Sequence, residues 1–505
     1  MKFFSRENSI DMTAGRPLKA IIPFTIPILL ANIFQQLYSV VDGIVVGKNV
    51  GDEAQAAVGA SFSVTYMMTC VFLGIGIGAA VLVGQHAGAN DRERIRKSIM
   101  SMNSFLILTS LPLTAAAIGS AGFFLNLLHV RADIFDLART YMIIYYLGML
   151  GQFGYNANAG ILQGLGDSRS PLLILAISSI LHVILDVLFV AVLHWGVVGV
   201  ALSTVLSQYF SWGMSIYFIK KNYPELDCRF ALIRFDGPVL KELLRIGLPA
   251  GIQNALYSVG IMVMQPLIND CGTVFIAGYS AAVKVDGFVF IPCNSLASAA
   301  TTYVAQNIGA QKPDRVKEGV REIIKLSVGM CAALCLIVIP LRSVLMRMFT
   351  DDPAVVAAGN AYLLRVIPFY VISALQYVYI ALLRGMGISV IPTAAALLSL
   401  WLARVPSAYF LTSRFGADNM HWCYAIGWVM GLAIMAPYYH SGRWKRRTAP
   451  QDGPALPGTD AAPKESLLRD DSDLRAGSGA KEAAVSRDLS SLQDSSCKKE
   501  DDRLY

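Results

Sequence analysis

Charged side chains are scarce in this chain: Asp, Glu, Lys and Arg supply 15% of its 505 residues, and before Thr448 no long stretch is polar. That scarcity, together with 55% hydrophobic residues and a mean hydropathy of +0.52, excludes a water-soluble globule. No phosphate cradle of the form G-x-x-x-x-G-K-S/T occurs and no soluble domain stands ready to hold one, so nucleotide-driven work is excluded. The eight cysteines, from Cys70 to Cys497, never form a C-x-x-C pair, and no zinc site, redox site or other cofactor is expected. Basic residues sit in short loops between apolar runs rather than on one aromatic-studded module, so nucleic acid is not an expected partner. The first apolar run carries Asp42 and lacks a small-residue cleavage site, so it is expected to stay in the protein as a span.

What the chain does contain is helix-length apolar sequence. A bilayer crossing takes about 20 apolar residues. Runs of that order recur at 20–46, 54–83, 97–121, 135–162, 171–193, 197–219, 243–268, 276–304, 323–342, 355–383, 390–411 and 421–440, giving twelve expected spans. The fold class is therefore an all-α polytopic membrane protein, with membrane lipids as its surroundings. Pro23, Pro27, Pro112, Pro292, Pro368 and Pro406 fall inside spans, so bent helices are expected, with Pro27 as the expected hinge.

The loop cations divide unequally. One side collects 25 Lys and Arg, including the run Arg92 to Lys97, the residues between Lys220 and Arg245, Arg384, and the group from Arg443 to Arg447. The other side holds five: Lys48, Arg131, Arg342, Arg347 and Arg414. Because basic loops stay in the cytoplasm, both termini are expected there. The tail is different in composition: residues 448–505 hold 8 Lys and Arg against 12 Asp and Glu, with few aromatics, and are expected to be disordered.

A repeat organises the spans. Val83-Gly-Gln85-His-Ala-Gly88-Ala89 returns as Val304-Ala-Gln306-Asn-Ile-Gly309-Ala310, and Leu162-Gln-Gly164-Leu-Gly166 as Leu383-Arg-Gly385-Met-Gly387, both at an offset of 221. Pro27 and Asn32 match Pro249 and Asn254 at 222. An offset of six spans leaves both halves in the same membrane orientation, a parallel repeat. The expected organisation is a cytoplasmic segment 1–19, a first six-helix lobe 20–219, a linker 220–242, a second lobe 243–440 and a cytoplasmic tail 441–505.

Acidic residues inside spans demand a reason, since one at the bilayer centre costs about 2.5–3.5 kcal/mol on insertion scales. Asp42 follows Gln35, Tyr38 and Ser39 on one helix face, and Asp186 follows His182 at i, i+4. Thr204, Ser207, Gln208 and Ser211 on the sixth span, with Gln152, Asn156 and Gln163 on the fourth, complete a set of polar faces best turned to one cavity. Interhelical hydrogen bonding alone is the bland alternative for the neutral members and, less so, for the two aspartates. The His182–Asp186 pair could chelate a cation, shuttle a proton or hydrogen-bond, and it would titrate as one coupled unit. The second half lacks a copy: His182, Asp186 and Asp42 correspond to Ala403, Ser407 and Met264. Lys284 and Asp286 point to different faces and read as solvated or snorkelling ends.

These residues together resemble the multidrug and toxic compound extrusion (MATE) family of prokaryotic type. The resemblance is carried by Gln35-Gln-Leu-Tyr38-Ser-Val-Val-Asp42-Gly after Pro27, by Gly84-Gln85-His-Ala-Gly88-Ala89, by Gln163-Gly-Leu-Gly-Asp167, and by Leu185-Asp186-Val-Leu-Phe followed by Gly196 and Gly199, over roughly residues 15–440. It implies two six-helix lobes in a V around a central cavity, exporting bulky, often cationic organic compounds across the cell membrane in exchange for H+ or Na+, by alternating access and with no enzymatic step. Relatives with an ion site in the first lobe place it at positions matching Asp42, His182, Asp186 and Thr204; His182 stands where Asn is usual, and an imidazole is a poorer ligand for a hard cation, which favours H+. The substrate is expected at Gln35, Tyr38, Asn156 and Gln163, and a monomer is expected. A lipid-linked oligosaccharide flippase of the wider superfamily, which would prefer a basic cavity, is the alternative within transport, and an intramembrane lipid-modifying enzyme the alternative outside it.

Overall fold

The structure is a computed structural model that describes residues 9–228 and 233–448. Among the described residues it is helical throughout, without strands. In chain order the helices are α1 (Pro17–Asn49), α2 (Asp52–Gly88), α3 (Arg92–Leu127), α4 (Ala132–Leu147), α5 (Met149–Gly164), α6 (Arg169–Asp186), α7 (Gly196–Asn222), α8 (Gly237–Asp270), α9 (Thr273–Gly309), α10 (Pro313–Arg347), α11 (Pro353–Val366), α12 (Tyr370–Gly385), α13 (Val390–Leu398), α14 (Val405–Phe415), α15 (Trp422–His440) and α16 (Arg443–Thr448). The tail expected to be disordered, the segment 1–8 and residues 229–232 lie outside the described residues.

Each expected span is found as a helical rod, but several rods are compound. Expected span 135–162 is divided at Gly148 into α4 and α5, and span 355–383 is divided into α11 and α12 by a tight turn at Ile367–Phe369 around Pro368. In α6 the helix widens into a π-helical stretch at Val187–Val192, and a second such stretch, Ser399–Arg404, joins α13 to α14. Among the described residues ten helices are long and apolar enough to cross a membrane. The other two expected spans depart for stated reasons: α4 and α5 are 16 residues each, and α7 carries Ser203, Thr204, Ser207, Gln208 and Ser211. α1 runs unbroken through Pro23 and the buried Pro27. The outer faces are apolar, with Phe62, Leu111, Phe123, Ile180, Leu336 and Leu402 all exposed, as a lipid-facing surface requires.

The two halves meet where α2 lies along α8. Small residues permit it: a methyl group added at Gly74 would collide with the backbone of Gly251, and one at Gly78 would stand 2.9 Å from the Gly247 Cα. The two copies of the repeated motif cross the seam. Gln85 Nε2 donates to the Gly385 carbonyl at 3.0 Å, and Gln306 Nε2 donates to the Gly164 carbonyl at 2.9 Å. Each residue of one bond is 221 positions from its counterpart in the other, so the repeat read as a duplication builds a reciprocal clasp. A strap, Ile10 to Gly15, covers it. Met12 is fully buried, its amide donates to Gln306 Oε1 at 3.1 Å, its carbonyl accepts from Asn307 at 3.0 Å, and Arg315 donates to the Met12, Ala14 and Gly15 carbonyls. All these contacts lie at the helix ends that adjoin the basic loops.

Candidate functional site

Two polar centres occupy the interior. The first is built where α6 meets α7. His182 and Asp186, one helical turn apart on α6, are 2% and 1% exposed, and Nδ1 of His182 lies 3.0 Å from Asp186 Oδ2. His182 Nε2 lies 3.1 Å from Thr204 Oγ1 on α7. Ser203, the neighbour of Thr204, donates to Asp186 Oδ1, so both oxygens of the carboxylate are engaged. The hydroxyls of Ser203 and Thr204 also reach the Val200 carbonyl, at 2.8 and 2.9 Å. The structure thus brings together three of the four expected cation-site residues, His182, Asp186 and Thr204; the side chain of the fourth, Asp42, lies outside the described residues. Ser203 escapes sequence reading because a serine beside a threonine on an amphipathic helix carries no chemical signature of its own. No group of three or more His, Cys, Asp and Glu placed to hold a metal ion occurs among the described residues.

The second centre is a cavity of about 420 Å³ between the halves, immediately beyond the Gly74–Gly251 contact. Asn156 and Gln163 of α5 line it, as expected for substrate residues. Gln35 is exposed on α1 and outside the cavity wall, and the side chain of Tyr38 lies outside the described residues. Most of the wall comes from the second half, which contributes Gln253, Asn254 and Tyr257 from α8, Gln376, Tyr377 and Arg384 from α12, Arg404 from the π-helical stretch, and Trp428 from α15.

Two sequence expectations change here. Arg384, counted above with the loop cations, is buried in α12, 9% exposed, and donates to Gln253 Oε1 at 3.0 Å. Asp286, read as a solvated or snorkelling end, is buried and accepts from the Tyr362 hydroxyl at 3.0 Å, whereas Lys284 is exposed, its ammonium 5.6 Å from the Phe349 ring centre. The signal for Arg384 was available in the repeat, since it corresponds to the cavity residue Gln163 at the offset of 221. Asp167, in the loop before α6, is fully buried and gathers the Arg169 and Ser170 amides at 3.1 and 2.9 Å. Burial pushes its carboxyl above the ordinary carboxylate range against the pull of these donors, and its place in the motif is to fix the start of α6.

A bundle of membrane-length helices in two repeated halves, with a buried His–Asp pair in one and a polar cavity between them, fits a membrane transporter. The MatE family model matches residues 27–188 and again 249–410, so the chain belongs to the MatE family of multidrug efflux transporters. Both matches begin at the repeated prolines, Pro27 and Pro249. Among curated relatives, the probable multidrug resistance protein YpnP of Bacillus subtilis is 27% identical over 86% of this chain and 97% of its own length. The probable multidrug resistance protein NorM of Thermotoga maritima is 25% identical over 85% of this chain and 93% of its own. An FAD transporter of Shewanella oneidensis is 24% identical over 63% of this chain and 71% of its own. Among solved structures, MATE in complex with MaL6 superimposes with a TM-score of 0.80 at 21% identity, covering 88% of this chain and 100% of that one. A MOP superfamily transporter from Pyrococcus furiosus, whose binding pocket is described as of reverse polarity, superimposes with a TM-score of 0.79 at 20% identity, covering 88% and 98%.

Proposed function

We propose that this protein is a proton-coupled antiporter that exports small organic compounds across the cell membrane, and that Asp42 and Asp186 carry the coupling proton in a site completed by His182 and Thr204. The observation that carries the reading is the hydrogen inventory around His182. With a neutral imidazole whose Nδ1 lies 3.0 Å from Asp186 Oδ2, the Thr204 hydroxyl donates to Nε2. One added proton makes Nε2 a donor to Thr204 Oγ1, and the Thr204 hydrogen turns to the Val200 carbonyl 2.9 Å away. The change at Nε2 is therefore met by rotating one hydroxyl, with the heavy atoms in place. Sodium fits less well: His182 Nδ1 already faces one Asp186 oxygen, and an imidazole replaces the oxygen ligand a hard cation prefers.

Alternating access follows from the clasp. The lobes, 20–219 and 243–440 joined by the linker 220–242, separate at the basic-loop side by releasing the Gln85–Gly385 and Gln306–Gly164 bonds, with Pro27 as the hinge of α1. That side is the cytoplasmic one, and both termini lie on it. Two bonds of ordinary strength, each about 0.5–1.5 kcal/mol net, can be exchanged with water on opening without stranding the gate in one state. The oligosaccharide flippase gains one observation, a basic wall in the cavity, but a volume of about 420 Å³ suits a drug-sized compound rather than a lipid-linked sugar.

The experiment is efflux from proteoliposomes under separately imposed pH and Na+ gradients. Wild-type protein is expected to respond to the pH gradient, and Asp186→Asn to insert normally and lose the response. Undiminished proton-driven efflux in Asp186→Asn would refute the assignment.

A further inference from the structure

Among the described residues, the wall of the central cavity carries two positive charges, Arg384 and Arg404, and no Asp, Glu, Lys or His lines it. Both arginines are more than nine-tenths buried, and neither forms an ion pair among the described residues. Arg384 spends one hydrogen on Gln253, and Arg404 donates to the Tyr257 hydroxyl at 2.8 Å while its guanidinium lies 3.8 Å from the Tyr424 ring centre. The Nε hydrogen of each arginine is buried without an acceptor. Asp286 is within electrostatic reach of Arg404 but is held by Tyr362 and makes no ion pair with it. A guanidinium can be buried at membrane depth only with partners for its five donors, and these two are partly supplied.

We infer that the cavity selects organic anions, compounds with a carboxylate or phosphate that docks on Arg384 and Arg404 and an aromatic body that lies against Tyr257, Tyr377 and Trp428. The inference rests on the reading of this cavity as the substrate site, and it narrows the substrate class that the family resemblance implies. Guanidinium groups suit this work because their planar donor forks match the oxygen pairs of carboxylate and phosphate. Neutral Gln253, Asn254, Asn294 and Gln376 supply further hydrogen bonds without cancelling the charge. The asymmetry of the repeat makes the same point. At one lobe the motif position holds Gln163, at the other Arg384, so the two copies of the motif line the same cavity and only one is charged. Among the described lining residues, an organic cation in this space would meet two guanidiniums and no carboxylate.

Carboxyfluorescein and rhodamine 123 share a xanthene ring system and differ in charge, which makes them a matched pair of probes. Binding to the purified full-length protein in nanodiscs, read by fluorescence anisotropy and by the thermal shift of the wild type, is expected to favour carboxyfluorescein by about tenfold or more. Arg384→Gln and Arg404→Gln are each expected to lose about tenfold in affinity for the anion, and Arg384→Lys to recover part of that loss. Tighter binding of rhodamine 123 by the wild type, binding of neither probe, or full anion affinity in both Arg→Gln variants would overturn the inference. Wild-type thermal shifts decide the sign of the charge even if a variant fails to fold. Anion-selective binding without gradient-driven movement would count against the transport reading while leaving the charge selectivity standing.

Discussion

At the residue scale the account turns on His182. The i, i+4 spacing to Asp186 was legible in the sequence because helix geometry alone places the two side chains together, and the 3.0 Å contact is what that spacing dictates. Thr204 was legible as part of a polar helix face but reached the ion site only through family resemblance, and Ser203 not at all, since contacts between helices depend on how α6 and α7 rotate against each other. Replacing His182 by Asn removes the second proton-binding nitrogen and substitutes an amide oxygen. The expected outcome is loss of pH-driven efflux with a gain of Na+-driven efflux, measured with the two gradients applied separately; unchanged proton coupling in His182→Asn would show that the imidazole is a bystander. Arg384 teaches the converse lesson. A cation at the end of an apolar run looks like a loop residue to a charge count, and only its alignment with Gln163 marks it as part of the cavity.

At the element scale the clasp and its strap set the strength of the closed gate. Gly309 packs so closely on the Gln85 carbonyl that any side chain there would overlap it, and Gly88 does the same to Gln306. Gly309→Val is expected to destabilise the closed arrangement by about 1–3 kcal/mol. The readout is cysteine accessibility in α9 near residue 305, which should rise while folding and membrane insertion persist. Arg315→Ala removes the donors that hold the carbonyls of Met12, Ala14 and Gly15, and is expected to speed amide exchange across 9–16 and 301–309. Equal exchange in wild type and variant would mean that the strap does not brace the gate. The break at Gly148 was not visible in the sequence, because glycine is common in membrane helices; the glycine itself is required by the close approach of Gln208 and Val205 of α7. The two π-helical stretches were equally hidden, as they depend on tertiary packing rather than on local composition.

At the scale of the whole molecule the twofold design was the most legible feature. An offset of six spans shared by several motifs requires two halves of like orientation, and those same motifs meet across the seam as Gln85–Gly385 and Gln306–Gly164. Charge placement extends the argument to topology. Lys48 and the loop around Arg92 to Lys97 are expected on opposite membrane faces, the latter cytoplasmic, and labelling of single cysteines at these positions in intact cells checks it. The two halves differ in chemistry as well as in sequence: a buried acid–base pair in the first, and two buried arginines in the wall supplied by the second. On the proposed reading the two sites must be coupled, and α5, which lines the cavity and packs along α7, lies between them.

The most direct test of that coupling is proton release on substrate binding, followed with a pH-sensitive dye in weakly buffered detergent solution. A transported compound added to the wild-type protein is expected to release protons, and the same addition to Asp186→Asn none. Substrate binding without proton release in the wild type, or equal release from both proteins, would contradict the account.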